Sequence, residues 1–242
     1  MTELDYISHL RSDGEALAAA ADAGPLTAPV AACPEWDLAE LVRHTGEIHR
    51  WATEIVRTGA RPERGSFEKR PPDGVELGTW IRDGVATLTE MLSSVDPHAP
   101  TWHVFPVPMV AGVWPRRQAH ETAIHRWDAE TAIGLRAEMD AQLASDGIDE
   151  YFEVILPRLG TRDSVAYPSG SLHVHCTDVA GEWLVNSDGS GLRVERAHAK
   201  GDAALRGRAA DLLLTLWARP AGTVERVGDQ AVADAWLALG GI

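Results

Sequence analysis

Thirteen consecutive residues, Arg116 to Asp128, carry two histidines, a glutamate, an aspartate and three arginines. Imidazole and carboxylate groups bind divalent metals and move protons near neutral pH. The run His120-Glu-Thr-Ala-Ile-His125 comes close to a zinc-protease pattern, but its spacing rejects it. His120 and His125 are five positions apart, about 140° around a helix, and cannot hold one ion together. Glu121 and His125 are four apart and lie about 40° from each other on one helical face. Trp114, Arg117, Asp128 and Ala132 fall on that same stripe, with Leu135 beyond it. Because Trp114, Ala132 and Leu135 are apolar, the stripe reads as inward-facing. The opposite face of Ala123, Arg126 and Glu130 makes a poor core. Buried acids and imidazoles must be satisfied. Two arrangements would do so here: a metal ion, or a network of buried ion pairs.

A metal would need a further ligand from another element. Asp37, with Glu40 three residues on, is a capping-box signal for a helix running to about Thr58. In that helix Leu38, Leu41, Val42, Ile48, Ala52 and Ile55 repeat at helical spacing. His44 and His49 stand about 70° from the centre of its apolar face, on opposite flanks. Either could reach a bundle interior, and spacing does not choose between them. Further helices are expected from Thr2 to Ala23, stopped by Gly24-Pro25, and from Leu77 to Val95. Another should run from Trp114-Pro115 to near Gly134. The stretch Gly59–Gly74 and the Trp-bearing connector Asp96–Val113 read as loops. Four helices with long crossings predict a bundle over residues 1–136.

From Ala137 the pattern changes. One helix to about Leu159 precedes the strand-like runs Ser171–Thr177, Glu182–Asn186 and Leu192–Glu195. Turn signals fall at Val179-Ala-Gly181 and Ser187-Asp-Gly-Ser-Gly191. A helix over Arg208–Trp217, a strand near Thr223–Val227 and a last helix from Asp229 to Leu239 complete a domain over residues 137–242. The expected fold class is therefore α+β, in two domains.

At 242 residues the chain can bury two cores. Its 22 Lys+Arg against 36 Asp+Glu leave a charge of −14. That balance argues against nucleic acid, whose phosphates want a basic footprint, and against an anionic membrane surface. An anionic small substrate would need a local Arg. Hydrophobic content of 45% with 24% charged residues excludes wholesale disorder. No apolar run approaches the ~18–20 residues of a membrane span, and acids occupy the amino terminus where a secretion signal is basic and then apolar. Cys33 and Cys176 form no metal-binding pair, and a reducing cytoplasm is the expected compartment. The 20 Arg against 2 Lys, with abundant Ala, look like a GC-rich coding sequence of the actinobacterial type.

One histidine of the second helix, followed much later by R-x-x-x-E-x-x-x-H-R-x-D from Arg117 to Asp128, resembles the mycothiol-dependent maleylpyruvate isomerase group of DinB-like metal-binding four-helix bundles. The likeness extends to Cys33-Pro-Glu-Trp-Asp-Leu-Ala-Glu-Leu-Val-Arg-His44, similar to the family's W-x-x-x-x-L-x-x-H opening of that helix. It takes in Asp146-Gly-Ile-Asp-Glu150, at the entry to the C-terminal domain. It also takes in Ala209-Ala-Asp-Leu-Leu-Leu-Thr-Leu-Trp-Ala-Arg219, similar to that domain's penultimate helix, and so covers nearly the whole chain. The resemblance implies a DinB-like bundle followed by a sterol-carrier-like α+β domain.

The ligands it implies are His44, Glu121 and His125 on a zinc ion with one open position. Asp128 and Arg117 become candidates to orient His125 and Glu121, or plain salt-bridge partners. Trp102, Phe105 and Trp114 could wall a pocket for the cosubstrate or serve as core. Arg219, with Arg206 and Arg208 as alternatives, is the candidate to meet an anionic substrate.

With no protein cysteine in the motif, a thiol nucleophile would come from outside as mycothiol. Zinc would lower its pKa so that the thiolate forms at neutral pH. Addition of that thiol to a maleyl double bond permits rotation, and elimination then gives the trans isomer. With other small electrophiles the thioether departs, which is S-transfer. Two alternatives remain at this level: a hydrolase with a metal-activated water, and a non-catalytic protein that binds metal or a small ligand.

Overall fold

Asp37 opens the helix on which both candidate histidines stand. In the computed structural model its Oδ1 accepts the Glu40 amide at 2.9 Å, starting α2 (Leu38–Thr58). Only half of the capping box forms, because the Glu40 carboxylate turns instead to Arg43 Nη1 at 2.6 Å. The helix stops at Gly59, whose φ of 69° is a left-handed conformation that glycine adopts without a Cβ penalty. The structure describes residues 4–162, 165–187, 191–220 and 222–240. The chain divides into two units, Met1–His103 with Pro108–Glu138, and Val104–Val107 with Met139–Ile242.

In the first unit, α1 (Tyr6–Ala23) starts at Asp5, which caps the Ser8 amide at 3.0 Å. Thr2, from which this helix was expected to run, lies outside the described residues. α3 (Leu77–Ser94) and α4 (Val113–Ala132) complete a four-helix bundle. α1 packs on α3 and α4, and so does α2, so the helices ring the core in the order α1–α3–α2–α4. Gly46 lets α2 close on α3, since a Cβ there would fall 2.2 Å from the Trp80 ring. Leu17, Leu38, Leu41 and Ile81 are fully buried in that core. Each contributes about 1.5–3 kcal/mol of apolar burial. The ring order sets α2 beside α4, the juxtaposition that the site requires.

Two readings of α4 need correction. The face of Ala123 and Arg126, expected to be a poor core, is buried: these residues are 2% and 6% exposed. The physical reason is that α1 covers α4 and brings Asp13 to Arg126 (3.2 Å), while Glu130 holds its other end (2.6 Å). Leu135, expected on the inward stripe, is 54% exposed. The helix ends at Ala132, and Gly134 turns the chain away with φ 77°.

In the second unit the expected single helix is interrupted. α5 (Ala141–Glu150) passes through a π turn, Tyr151–Ile155, into α6 (Leu156–Arg162). Pro157 has no N–H to give the ladder, and a wider turn before it absorbs the missing bond. Five strands follow in the order β3-β2-β1-β4-β5. They are β1 (Leu172–Cys176), β2 (Glu182–Ser187), β3 (Leu192–Glu195), β4 (Ala203–Gly207) and β5 (Glu225–Gly228). β1 and β4 run parallel, and the other pairs are antiparallel. α7 (Ala209–Leu216) and α8 (Gln230–Leu237) pack on the sheet, and a 3-10 turn, Ala238–Gly240, ends the described chain.

Strand β4 escaped the sequence reading because Ala203-Ala-Leu-Arg-Gly207 is poor in β-branched and aromatic residues. Its position between β1 and β5 makes it a strand. Residues 188–190 of the expected turn after Ser187 lie outside the described residues. The chain is thus α+β, a helical bundle followed by a small mixed sheet with helices. Among the described residues, no helix is long and apolar enough to cross a membrane.

Candidate metal centre

The i,i+4 spacing of Glu121 and His125 places both side chains on the face of α4 that looks toward α2. His125 Nε2 lies 3.3 Å from Glu121 Oε1, and His44 Nε2 from α2 lies 3.5 Å from the same oxygen. Two imidazole nitrogens and one carboxylate oxygen therefore converge, all within 4.8 Å of one another. The side chains are 35%, 24% and 11% exposed for His44, Glu121 and His125. The cluster is thus sheltered yet open on one side to solvent.

The outer contacts orient these three groups. His125 Nδ1 donates to Asp128 Oδ2 at 3.2 Å, which fixes the proton on Nδ1 and turns Nε2 toward Glu121. Arg117 Nη2 donates to Glu121 Oε2 at 3.2 Å and leaves Oε1 for the histidines. Arg117 and Asp128 are 5% and 3% exposed. Burial alone would push the Glu121 carboxyl up. Hydrogen bonds from His125 and His44, with the charges of His125 and Arg117, instead hold it well below the usual carboxylate range. Burial works against the His125 imidazolium, but Asp128 and Glu121 overcome it and lift the pKa to about 9. The metal-free cluster therefore carries a proton that an incoming cation would displace.

The structure separates the two α2 histidines. His49 is fully buried, its Nε2 held by Thr122 Oγ1 at 2.8 Å. It lies near enough to feel the charge of Glu121, but it is outside the converging group. His120, 4% exposed, stacks edge-on to Tyr6.

Burial takes the His49 pKa down to about 3 from 6.5. Unfolded, this ring gains a proton as pH falls below 6.5; folded, it stays neutral. Its contribution to stability is therefore full above pH 6.5 and is lost as pH falls toward 3, at about 1.4 kcal/mol per unit. Urea unfolding in chelator should show the wild-type chain losing about 2 kcal/mol more than His49→Gln between pH 7 and 5. Equal losses would overturn this account.

The aromatic residue at the site is Trp36, absent from the expected pocket wall. Its ring lies 4.8 Å from that of His44 and 6.5 Å from that of His125. The signal was present in the Trp36-to-His44 spacing, read there as a helix opening and not as a wall. Trp114 is fully buried, edge-on to Trp51 at 5.5 Å, and so offers no surface to a cosubstrate, a correction to the expected wall. Trp102 meets the other side of this group, 6.2 Å from Trp51, with Arg61 over its ring. Phe105 packs under Arg158.

Arg219 lies in the second unit, where it donates to the Trp217 carbonyl at 2.9 Å. In the same unit Arg206 faces Glu225 and Arg208 faces Asp178. Cys176 is buried, and burial pushes its thiol up to about 12, so it provides no thiolate at neutral pH.

No curated protein and no solved structure matches the chain. A family model described as the mycothiol maleylpyruvate isomerase N-terminal domain matches residues 7–130, more than half of the 242. That span runs from α1 to the last turn of α4 and contains His44, Glu121 and His125. The chain belongs to the mycothiol maleylpyruvate isomerase N-terminal domain family.

Proposed function

We propose that this protein is a zinc-dependent enzyme that activates mycothiol for attack on a small electrophile, as an S-transferase or a maleylpyruvate-type cis-trans isomerase. One observation carries the reading. His44 Nε2, His125 Nε2 and Glu121 Oε1 converge on one point at the partly open edge of a bundle whose family is named for mycothiol. The donor set fits the metal: two imidazoles and a carboxylate are the ligands of catalytic zinc sites, which keep a fourth position open. A bound zinc-class cation supplies Lewis acidity, lowering the pKa of a thiol brought to it.

The protein's own groups do the positioning. Asp128 keeps the His125 proton on Nδ1, Arg117 holds the outer oxygen of Glu121, and Trp36 walls the His44 side. The nucleophile comes from outside, because Cys176 is buried and held protonated and neither cysteine joins the cluster. We place the reaction in the cytoplasm, where small thiols stay reduced.

The test is thiol dependence. Chelator-treated protein reloaded with zinc should consume monobromobimane faster than the thiol blank only when mycothiol is present, and not before reloading. A rate independent of mycothiol would overturn the reading. Zinc-dependent ester hydrolysis without thiol would put water in its place.

A further inference from the structure

A second group of metal-ligating side chains stands in the other unit, unconnected with the reading above. Strand alternation sends Leu172, Val174 and Cys176 of β1 to the buried face of the sheet and His173 and His175 to the opposite one. Across the antiparallel pairing, Glu182 of β2 is the direct partner of His175. The segment leaving β3 returns over this face with His198. One oxygen, Glu182 Oε1, receives both His175 Nδ1 and, at 2.8 Å, His198 Nδ1. The rings of His173, His175 and His198 lie 5.7–6.2 Å apart, centre to centre.

Each of the four side chains offers one ligand atom, and these atoms lie within 4.8 Å of one another. A solvated ion-pair patch would not leave a polar atom stranded. Here His173 is 9% exposed, and its Nε2 is buried with no hydrogen-bond partner among the described residues. An unsatisfied buried nitrogen costs about 1–3 kcal/mol, and such groups in a native fold call for an explanation.

We propose that His173, His175, Glu182 and His198 form a second metal site, which takes a divalent cation of the zinc class. Three imidazoles and one carboxylate suit zinc or its neighbours and not calcium or magnesium, which prefer oxygen. Tetrahedral zinc sets ligand atoms about 3.3 Å apart, so no pair needs to close by more than about 1.5 Å, while the Glu182–His198 contact at 2.8 Å opens slightly. With four protein ligands the shell is complete, which marks a structural clip and not a catalytic centre. It ties β1, β2 and the connector after β3 into one cross-link.

The experiment is zinc stoichiometry of the full chain, freed of metal and dialysed against zinc alone. The wild-type chain should hold two equivalents. His198→Ala is the principal variant, since its side chain is 80% exposed and its loss spares the fold. It should hold one equivalent, as should Glu182→Gln. Zinc should also raise the thermal midpoint of Glu121→Gln, which keeps only this site, and fail to raise that of Glu121→Gln combined with His198→Ala. Unchanged stoichiometry in both His198→Ala and Glu182→Gln would overturn the proposal. Failure of the bundle site reads out separately, as a Glu121→Gln chain that binds as much zinc as the wild type.

Discussion

Glu121→Gln is expected to bind one zinc equivalent fewer than the wild-type chain and to lose mycothiol-dependent turnover to background. The carboxylate is the group that both imidazoles share, 3.3 Å from His125 Nε2 and 3.5 Å from His44 Nε2. An amide oxygen keeps the shape but not the charge, and two neutral imidazoles alone hold a divalent ion weakly. Asp128→Asn acts one step out, by releasing the Nδ1 proton of His125. It should weaken zinc binding by about 10–100-fold, with the equivalent recovered at higher zinc. His120→Ala should change nothing, because that ring faces Tyr6. Elemental analysis orders the three variants. If Glu121→Gln keeps its zinc while His120→Ala loses it, the ligand set assigned to α4 is wrong.

Part of this centre is readable in the sequence because helical geometry is rigid. The four-residue step from Glu121 to His125, and the exclusion of His120, follow from 3.6 residues per turn alone. The choice between His44 and His49 does not, since both flank the apolar face of α2 at equal angles. It is set by depth. His49 sits at the fully buried level, where Thr122 takes its nitrogen, and His44 sits where a third of its side chain meets solvent. The spacing from Trp36 to His44 marks a helix opening, but the direction of the Trp36 ring is not legible, because a loop residue before a helix has no periodicity to reveal it.

The second unit shows the same division. Strands with alternating Val, Leu and Trp could be found from their pattern, whereas β4 is a strand by virtue of its neighbours. The His173-Val-His175 pair carries its signal in strand periodicity and not in helical spacing. In a strand, residues two apart share a face. Their partners Glu182 and His198 come from pairing register and from a connector, neither of which local sequence sets.

Arg126→Ala should destabilise the bundle by about 3–5 kcal/mol while leaving zinc stoichiometry intact in the molecules that fold. The residue lies on the α4 face that reads as a poor core, and the structure shows why the pattern misleads. A charged residue can be interior when its partners arrive from elsewhere. Arg126 is 6% exposed, with Asp13 of α1 on Nε at 3.2 Å and Glu130 on Nη1 at 2.6 Å. Burial raises the Asp13 carboxyl even with the guanidinium beside it. Without Arg126, two sheltered carboxylates face each other with no cation between them, and Asp13 is pushed up further. A carboxyl raised above its unfolded value of 3.8 costs nothing below that pH, destabilises increasingly as pH rises from there to the folded value, and carries a constant cost above it. The penalty should therefore be largest at neutral pH and shrink as pH falls toward 4. Combining Arg126→Met with Asp13→Leu and Glu130→Leu replaces all three charged groups by apolar packing and should recover most of the loss. Urea unfolding at pH 7 and pH 4.5 measures both effects. A penalty below about 1 kcal/mol at pH 7, the range of an exposed pair, would show that α1 and α4 are held by their apolar contacts alone.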